Sequence, residues 1–187
     1  VDKSAPSLKE KSESIFFILV SERALKELQK WWDNYQADNI LLLPLVPREK
    51  LPEMLSASDI GLVIQKKTVT AFNLPSKIPV ILASGRPIIA SVPNTGTAMR
   101  VVKESGAGIV VTPEDFQALA QAILELYKNP EKLEQLGRQG RKYAEENFGL
   151  KTVLNSYEAL FAEILSHQER GEKKKGKGWL LIFFVLC

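Results

Sequence analysis

A doubly wound, parallel α/β sheet of about five strands, followed by a helical C-terminal extension, is the fold class this 187-residue sequence predicts. Three observations carry that expectation. Apolar runs of strand length recur as far as Pro113. Segments with helical spacing separate them, and strands that alternate with helices pair in parallel through right-handed crossovers. Several runs are continuously apolar rather than alternating, as expected of strands buried on both faces.

Each element has its own signal. Ile15–Val20 (IFFILV) is a continuous apolar run and predicts the first strand. Glu22–Gln36 places Leu25, Leu28, Trp32 and Tyr35 on one helical stripe. Asn39–Val46 predicts a second strand, cut by Pro44. Pro47–Asp59 predicts a short helix that tolerates Pro52 only near its first turn. Asp59–Gln65 predicts a third strand, and the segment LPSKIPVILASG a helix with Gly85 just beyond its end. Arg86–Val92 predicts a fourth strand, Thr95–Gly108 a helix stopped by glycine, and Gly108–Pro113 a fifth strand.

The last third reads as helix. The first of three segments opens with Thr112 as N-cap, Pro113 in the first position and acids in the first turn. The second opens with Asn129 and Pro130, and the third carries Val153, Tyr157, Leu160, Phe161 and Ile164 in its apolar stripe. The expected organisation is a short lead-in over 1–14, one Rossmann-like domain over 15–168 and a tail over 169–187.

Composition removes several function classes. The chain holds 25 basic and 22 acidic residues. Residues 169–187 contain five basic side chains (Arg170, Lys173, Lys174, Lys175, Lys177) and two acidic ones, so the tail carries the whole excess. A neutral body lacks the basic face that nucleic-acid binding requires. The single cysteine, Cys187, forbids an internal disulfide and suits a reducing, cytoplasmic setting. With His167 as the only histidine, neither a zinc site of nitrogen and sulfur ligands nor a convincing Ser-His-Asp triad is available, and no metal is expected. No N-terminal secretory pattern precedes Ile15. In the tail, the basic run precedes apolar Trp179–Cys187, which is too short to span a bilayer core of about 30 Å. It suits a peripheral anchor at the inner face of a membrane, or equally a strand packed on the body or a non-native terminus.

In doubly wound sheets ligands bind beyond the carboxyl ends of the strands. That rim holds Pro44–Arg48, Gln65–Lys77 and Pro93–Thr97. Helix N-termini offer unpaired N–H groups and partial positive charge. Lys77 in a first helical turn sits where the macrodipole disfavours a cation, which makes sense beside an anion. With Lys66 and Lys67 on the same loop it could hold a diphosphate. Read without other information, the three lysines serve equally well as solvated cations, with Ser76 as a simple cap.

The stretch from "LPLVPREKLPEMLSASDIGLV" through "NLPSKIPVILASGRPIIAS" to "GTAMRVVKESGAGIVVTPEDFQALAQAILELYKNPEKLEQLGRQGRKYAEENF" resembles the C-terminal, donor-binding domain of the retaining glycosyltransferases of family 4. The bacterial colanic-acid and exopolysaccharide enzymes are the most similar type. The resemblance covers about Ile15 to Leu165, with four blocks in the family's order. It implies half of a GT-B architecture, in which two Rossmann-like domains enclose a cleft. The implied ligand is a UDP- or GDP-sugar, as substrate, held with no cofactor and no obligatory metal. Val46, Pro47 and Arg48 would lie beside the base. Asn73, Leu74, Pro75, Ser76 and Lys77 would face the sugar and diphosphate. Gly85 and Pro87 would set the turn that packs this unit on the sheet. No catalytic residue can be assigned.

The sequence departs from the family at three places. The position where the family carries a ribose-binding glutamate is Val80 here, and no glutamate occurs between Glu53 and Glu104. Valine accepts no hydrogen bond from a hydroxyl. Ser21 and Arg23 stand where a glycine-rich turn is usual. Only Val1–Ser14 precede the first strand, so the family's first strand, its basic loop and the acceptor domain have no counterpart. The expectation is a donor-binding half, inactive in isolation, that needs an acceptor domain, on a separate chain as one option. The alternatives are a non-catalytic, membrane-associated interaction module and a truncated product.

Overall fold

The computed structural model describes residues 15, 17–20, 39–69 and 72–172. The helix expected over Glu22–Gln36 and most of the basic and apolar tail lie outside the described residues. Two compact units divide the chain, Val1–Tyr143 and Ala144–Cys187.

In the first unit, β1 (Phe17–Val20) and β2 (Ile40–Leu43) are followed by a 3₁₀ turn (Arg48–Lys50) and α1 (Leu51–Ser56). Then come β3 (Gly61–Ile64), α2 (Lys77–Ala83), β4 (Ile88–Ser91), α3 (Thr97–Ser105), β5 (Gly108–Val111) and α4 (Phe116–Tyr127). α5 (Pro130–Phe148) follows, and α6 (Leu150–Glu172) belongs to the second unit. All strand pairs are parallel. The five expected strands are present, each trimmed to four residues, and among the described residues they form two sheets rather than one. One has the order β1-β2 and the other β3-β4-β5.

β4 is the central strand of the larger sheet, and all four of its residues are buried. Its side chains alternate between two layers. Ile89, with Val111 of β5, packs on Ala122, Ile123 and Leu126 of α4. Ile15, Phe17 and Leu62 join that same cluster. On the opposite face Val63, Ile88 and Ala90 are buried beneath α2, which contributes Ile78, Ile81 and Leu82. Right-handed crossovers place α3 on this face too, burying Ala98, Val101 and Val102.

The turns at the amino-terminal rim are tightly packed. Gly85 has φ +71°, the left-handed conformation expected of a residue just past a helix end. Gly137 of α5 lies against the Gly85 carbonyl so closely that a Cβ there would be 2.2 Å from that oxygen. Arg141 donates to the carbonyl of Ala83 at the carboxyl end of α2, where a cation is favoured. Arg86 Nη2 donates to the carbonyl of Ser56 at 2.8 Å and ties the turn to the end of α1. Gly85, Arg86 and Pro87 thus form a packed turn between α2 and β4, the place the resemblance implies for Gly85 and Pro87. Tyr143 of α5 donates to Glu104 Oε2 of α3 at 3.4 Å. Burial, and then the neighbouring Glu104 carboxylate, push its hydroxyl pKa above the usual tyrosine value.

The helices begin later than expected, α1 at Leu51, α2 at Lys77 and α3 at Thr97, and the start of α4 differs in kind. α4 begins at Phe116, not Pro113, and its N-cap is Asp115, whose Oδ1 accepts from Ala118 N at 2.9 Å. Thr112–Asp115 instead form a turn closed by Asp115 N donating to the Thr112 carbonyl at 3.3 Å. The reason is Glu114, whose φ of +65° breaks the helical path before it can start. In the second unit, α6 carries the expected stripe, and the Tyr157 and Phe161 rings stack with centroids 6.3 Å apart.

Candidate nucleotide-sugar site

The in-register pairing brings Ile64, Ser91 and Val111 level at the carboxyl ends of β3, β4 and β5. The loops leaving that line build the candidate site. After β3 the chain runs through Gln65, Lys66 and Lys67, and after residues 70 and 71 it returns as Phe72–Ser76 into α2.

Lys77 opens α2 and is exposed. Ser76 precedes it with helical φ and ψ, and its side chain makes no capping hydrogen bond. The Ile78 amide is used by the Pro75 carbonyl at 3.0 Å, and Pro79 has no N–H. The amides of Ser76 and Lys77 therefore remain as the orphan donors of this helix start. Asn73 is exposed, while Leu74 and Pro75 are half-buried and anchor the loop. Val80 follows Lys77 by three residues, so both lie on one face of α2. Val80 is 38% exposed, whereas Ile78, Ile81 and Leu82 of the same helix are buried.

Val46 is half-buried, and Pro47 and Arg48 are exposed where the chain enters the 3₁₀ turn after β2. They belong to the carboxyl rim of the smaller sheet, whereas Asn73–Val80 belong to that of the larger one.

The loop lysines do not act alike. Lys67 is held by Glu114: its Nζ lies 3.7 Å from Oε2 and its amide donates to Oε1 at 3.3 Å. This clasp ties the loop after β3 to the turn after β5 and helps hold Glu114 in its costly left-handed conformation. Among the described residues, neither Lys66 nor Lys77 has a carboxylate partner. A recess of about 300 Å³ lies beside the clasp, lined in part by Ile64, Lys66, Ser91, Glu114, Asp115 and Phe116. Phe116 is 78% exposed at its edge.

Sequence reasoning missed Glu114, Asp115 and Phe116 as rim residues. The "TPED" segment looks like a routine helix start, and the pairing of Glu114 with Lys67 is a contact across 47 positions. The surface of the recess is almost wholly apolar, and its two carboxylates are engaged by Lys67 and by the Ala118 amide, so it offers no polar cradle for a phosphate. The unpaired ammonium groups of Lys66 and Lys77 are the groups suited to an anion.

The family model described as "Glycosyl transferases group 1" matches residues 2–143. The chain is 28% identical over 149 residues to the putative colanic acid biosynthesis glycosyl transferase WcaI of Escherichia coli K12, covering 79% of this chain and 36% of that one. A glycosyltransferase from Rickettsia africae superposes with a TM-score of 0.70 at 20% identity, over 84% of this chain and 42% of that one. Anabaena Alr3699/HepE, solved in complex with UDP-glucose, superposes with a TM-score of 0.66 at 20% identity, over 86% of this chain and 44% of that one. The chain spans between 21% and 36% of the length of the curated relatives it matches.

Proposed function

Because the chain belongs to the group 1 glycosyl transferases, we propose that it is the donor-binding half of an enzyme of polysaccharide or glycan biosynthesis. That enzyme transfers a sugar from a nucleotide-diphosphate sugar. The observation that carries this reading is the pair of cations without a carboxylate partner among the described residues, Lys77 at the start of α2 and Lys66 in the loop that leaves β3 at the carboxyl rim. Lys77 and the amides of Ser76 and Lys77 meet the diphosphate, and Asn73–Pro75 shape the floor beneath the sugar. Val46, Pro47 and Arg48 lie beside the base through their backbone groups. The UDP-glucose complex of Anabaena HepE supports a nucleotide sugar as the ligand class. The donor is held by protein groups, without a metal ion.

Val80 is the weak point of this site. It stands where a carboxylate would take the ribose hydroxyls, and an isopropyl group cannot do so. Affinity for the nucleotide is therefore low and rests on the phosphates. Calorimetric titration with UDP and GDP at millimolar concentration tests this. Lys77→Ala should weaken the preferred nucleotide about tenfold, equivalent to about 1.4 kcal/mol, and Val80→Glu should tighten it several-fold. No heat with either nucleotide, or Lys77→Ala binding like the parent, would refute the assignment.

Sugar transfer needs donor and acceptor aligned in a cleft that excludes water. The chain supplies one wall of such a cleft, and an acceptor domain supplies the other. The 187 residues alone are expected to release no product from a donor and acceptor mixture, as followed by nucleotide release. Among the described residues no helix is long and apolar enough to cross a membrane. The reading places the chain in the cytoplasm, with the basic and apolar tail resting on the inner face of the membrane.

A further inference from the structure

The turn that follows β5 holds a residue its local geometry does not favour. Asp115 N donates to the Thr112 carbonyl at 3.3 Å, Pro113 takes the second place and Glu114 the third, with φ +65°. That is the pattern of a type II turn, whose third place calls for glycine or asparagine. Among the described residues Glu114 is the one non-glycine residue with positive φ. Its backbone therefore carries a cost that glycine would remove. The turn itself makes no use of the carboxylate, and α4 is capped by Asp115, whose Oδ1 accepts from Ala118 N.

The carboxylate reaches instead to the loop after β3. Oε1 accepts from the Lys67 amide at 3.3 Å, and Oε2 lies 3.7 Å from the Lys67 ammonium. The Lys67 and Glu114 side chains are 60% and 50% exposed, and ion pairs so exposed add little stability. Stability therefore does not account for a glutamate at this place, and position does. Lys67 lies inside a tight turn closed by Val69 N, which donates to the Lys66 carbonyl at 3.1 Å. Glu114 grips that turn by backbone and side chain together. On one side of the grip stands Lys66, which has no carboxylate partner among the described residues. On the other side the chain runs on to Asn73 and Lys77.

We propose that Glu114 is a positioning residue of the donor site. It holds the Lys66–Val69 turn in place, so that Lys66 stands ready for an anion at the carboxyl rim. Adjacent lysines thus divide the work: Lys67 is the strut, and Lys66 is the cation left for the ligand. The proposal rests on the donor-site reading for its anion, but the holding of the loop is measurable without any ligand.

Two variants of the whole chain separate positioning from structural support. Glu114→Gly removes the carboxylate and relieves the backbone, so the urea midpoint should stay level or rise. The Lys67 amide loses its acceptor and should exchange with solvent about tenfold faster. In calorimetry with UDP and GDP, the preferred nucleotide should bind about fivefold more weakly. Glu114→Gln keeps an acceptor for the amide but loses the charge. It should hold the Lys67 amide within about threefold of the parent rate, with an affinity between those of the parent and Glu114→Gly. An unchanged Lys67 exchange rate in Glu114→Gly would overturn the proposal. So would a freed amide with parent affinity, or a midpoint that falls together with affinity, which would make Glu114 a structural residue. A parent chain that binds neither nucleotide refutes the donor reading, and the exchange rates then decide alone whether Glu114 holds the loop.

Discussion

Gly108→Val is expected to leave the chain without a cooperative unfolding transition. Gly108 opens β5 opposite Ile88 of β4. A Cβ built on it would lie 1.9 Å from the Ile88 carbonyl oxygen and 2.8 Å from the carbonyl carbon. Both are backbone atoms of the central strand, so no rotamer change relieves the conflict. Relief requires opening the ladder in which Ile88 N donates to the Ala107 carbonyl at 2.9 Å. It would also disturb the fully buried Ile88, Ile89 and Ala107. Overpacking typically costs about 1–3 kcal/mol and more where backbone atoms must move, a large part of the roughly 5–15 kcal/mol that typically holds a domain together. Urea titration followed by circular dichroism is the measurement. Gly108→Ala should show the same loss in milder form, and an unchanged midpoint for Gly108→Ala would refute the cause.

Leu82→Ala has the second-largest expected effect, a loss of about 2–5 kcal/mol. Leu82 is fully buried near the end of α2. Gly140 of α5 approaches it so closely that a Cβ there would be 3.0 Å from Leu82 Cδ2. The packing leaves little room for collapse, because Gly137 already seats α5 against the Gly85 carbonyl and Pro87. A cavity should therefore persist, and cavity cost rises with the volume that remains. α2 also carries Lys77, so the variant should bind nucleotide normally only where it is folded. Denaturation midpoints set against calorimetry at low temperature separate the two effects. A shift under about 0.5 kcal/mol would show that the α2–α5 contact is not tightly packed.

Much of this was legible in the sequence because the signals are local. Apolar runs such as Ile60–Ile64 and Ile88–Ser91 mark strands wherever they fall. Gly85 and Gly106 mark helix ends by a conformation other residues avoid. The carboxyl rim follows from topology, and Lys77 is conspicuous as a cation at a helix start. What escaped depends on distant partners. The division into two sheets cannot be read from strand sequences, since a strand's neighbours are set by the whole order. The backward step at Glu114 was hidden because proline and acids normally favour the helix start that Thr112 and Pro113 imitate. Its capture by Lys67 joins two loops that are far apart in the chain.

The level ends of β3, β4 and β5 contrast with the crowded turns at the sheet's other end, and the contrast has an evolutionary reading. Where Ile64, Ser91 and Val111 finish together, each following loop can lengthen or change composition without disturbing the frame beneath. At Gly85 and Gly108 a single added methyl group meets backbone or forces the turn from its only comfortable shape. Variation in what such a chain recognises is thus free to accumulate on one side. The opposite side holds the lineage to a narrow spelling.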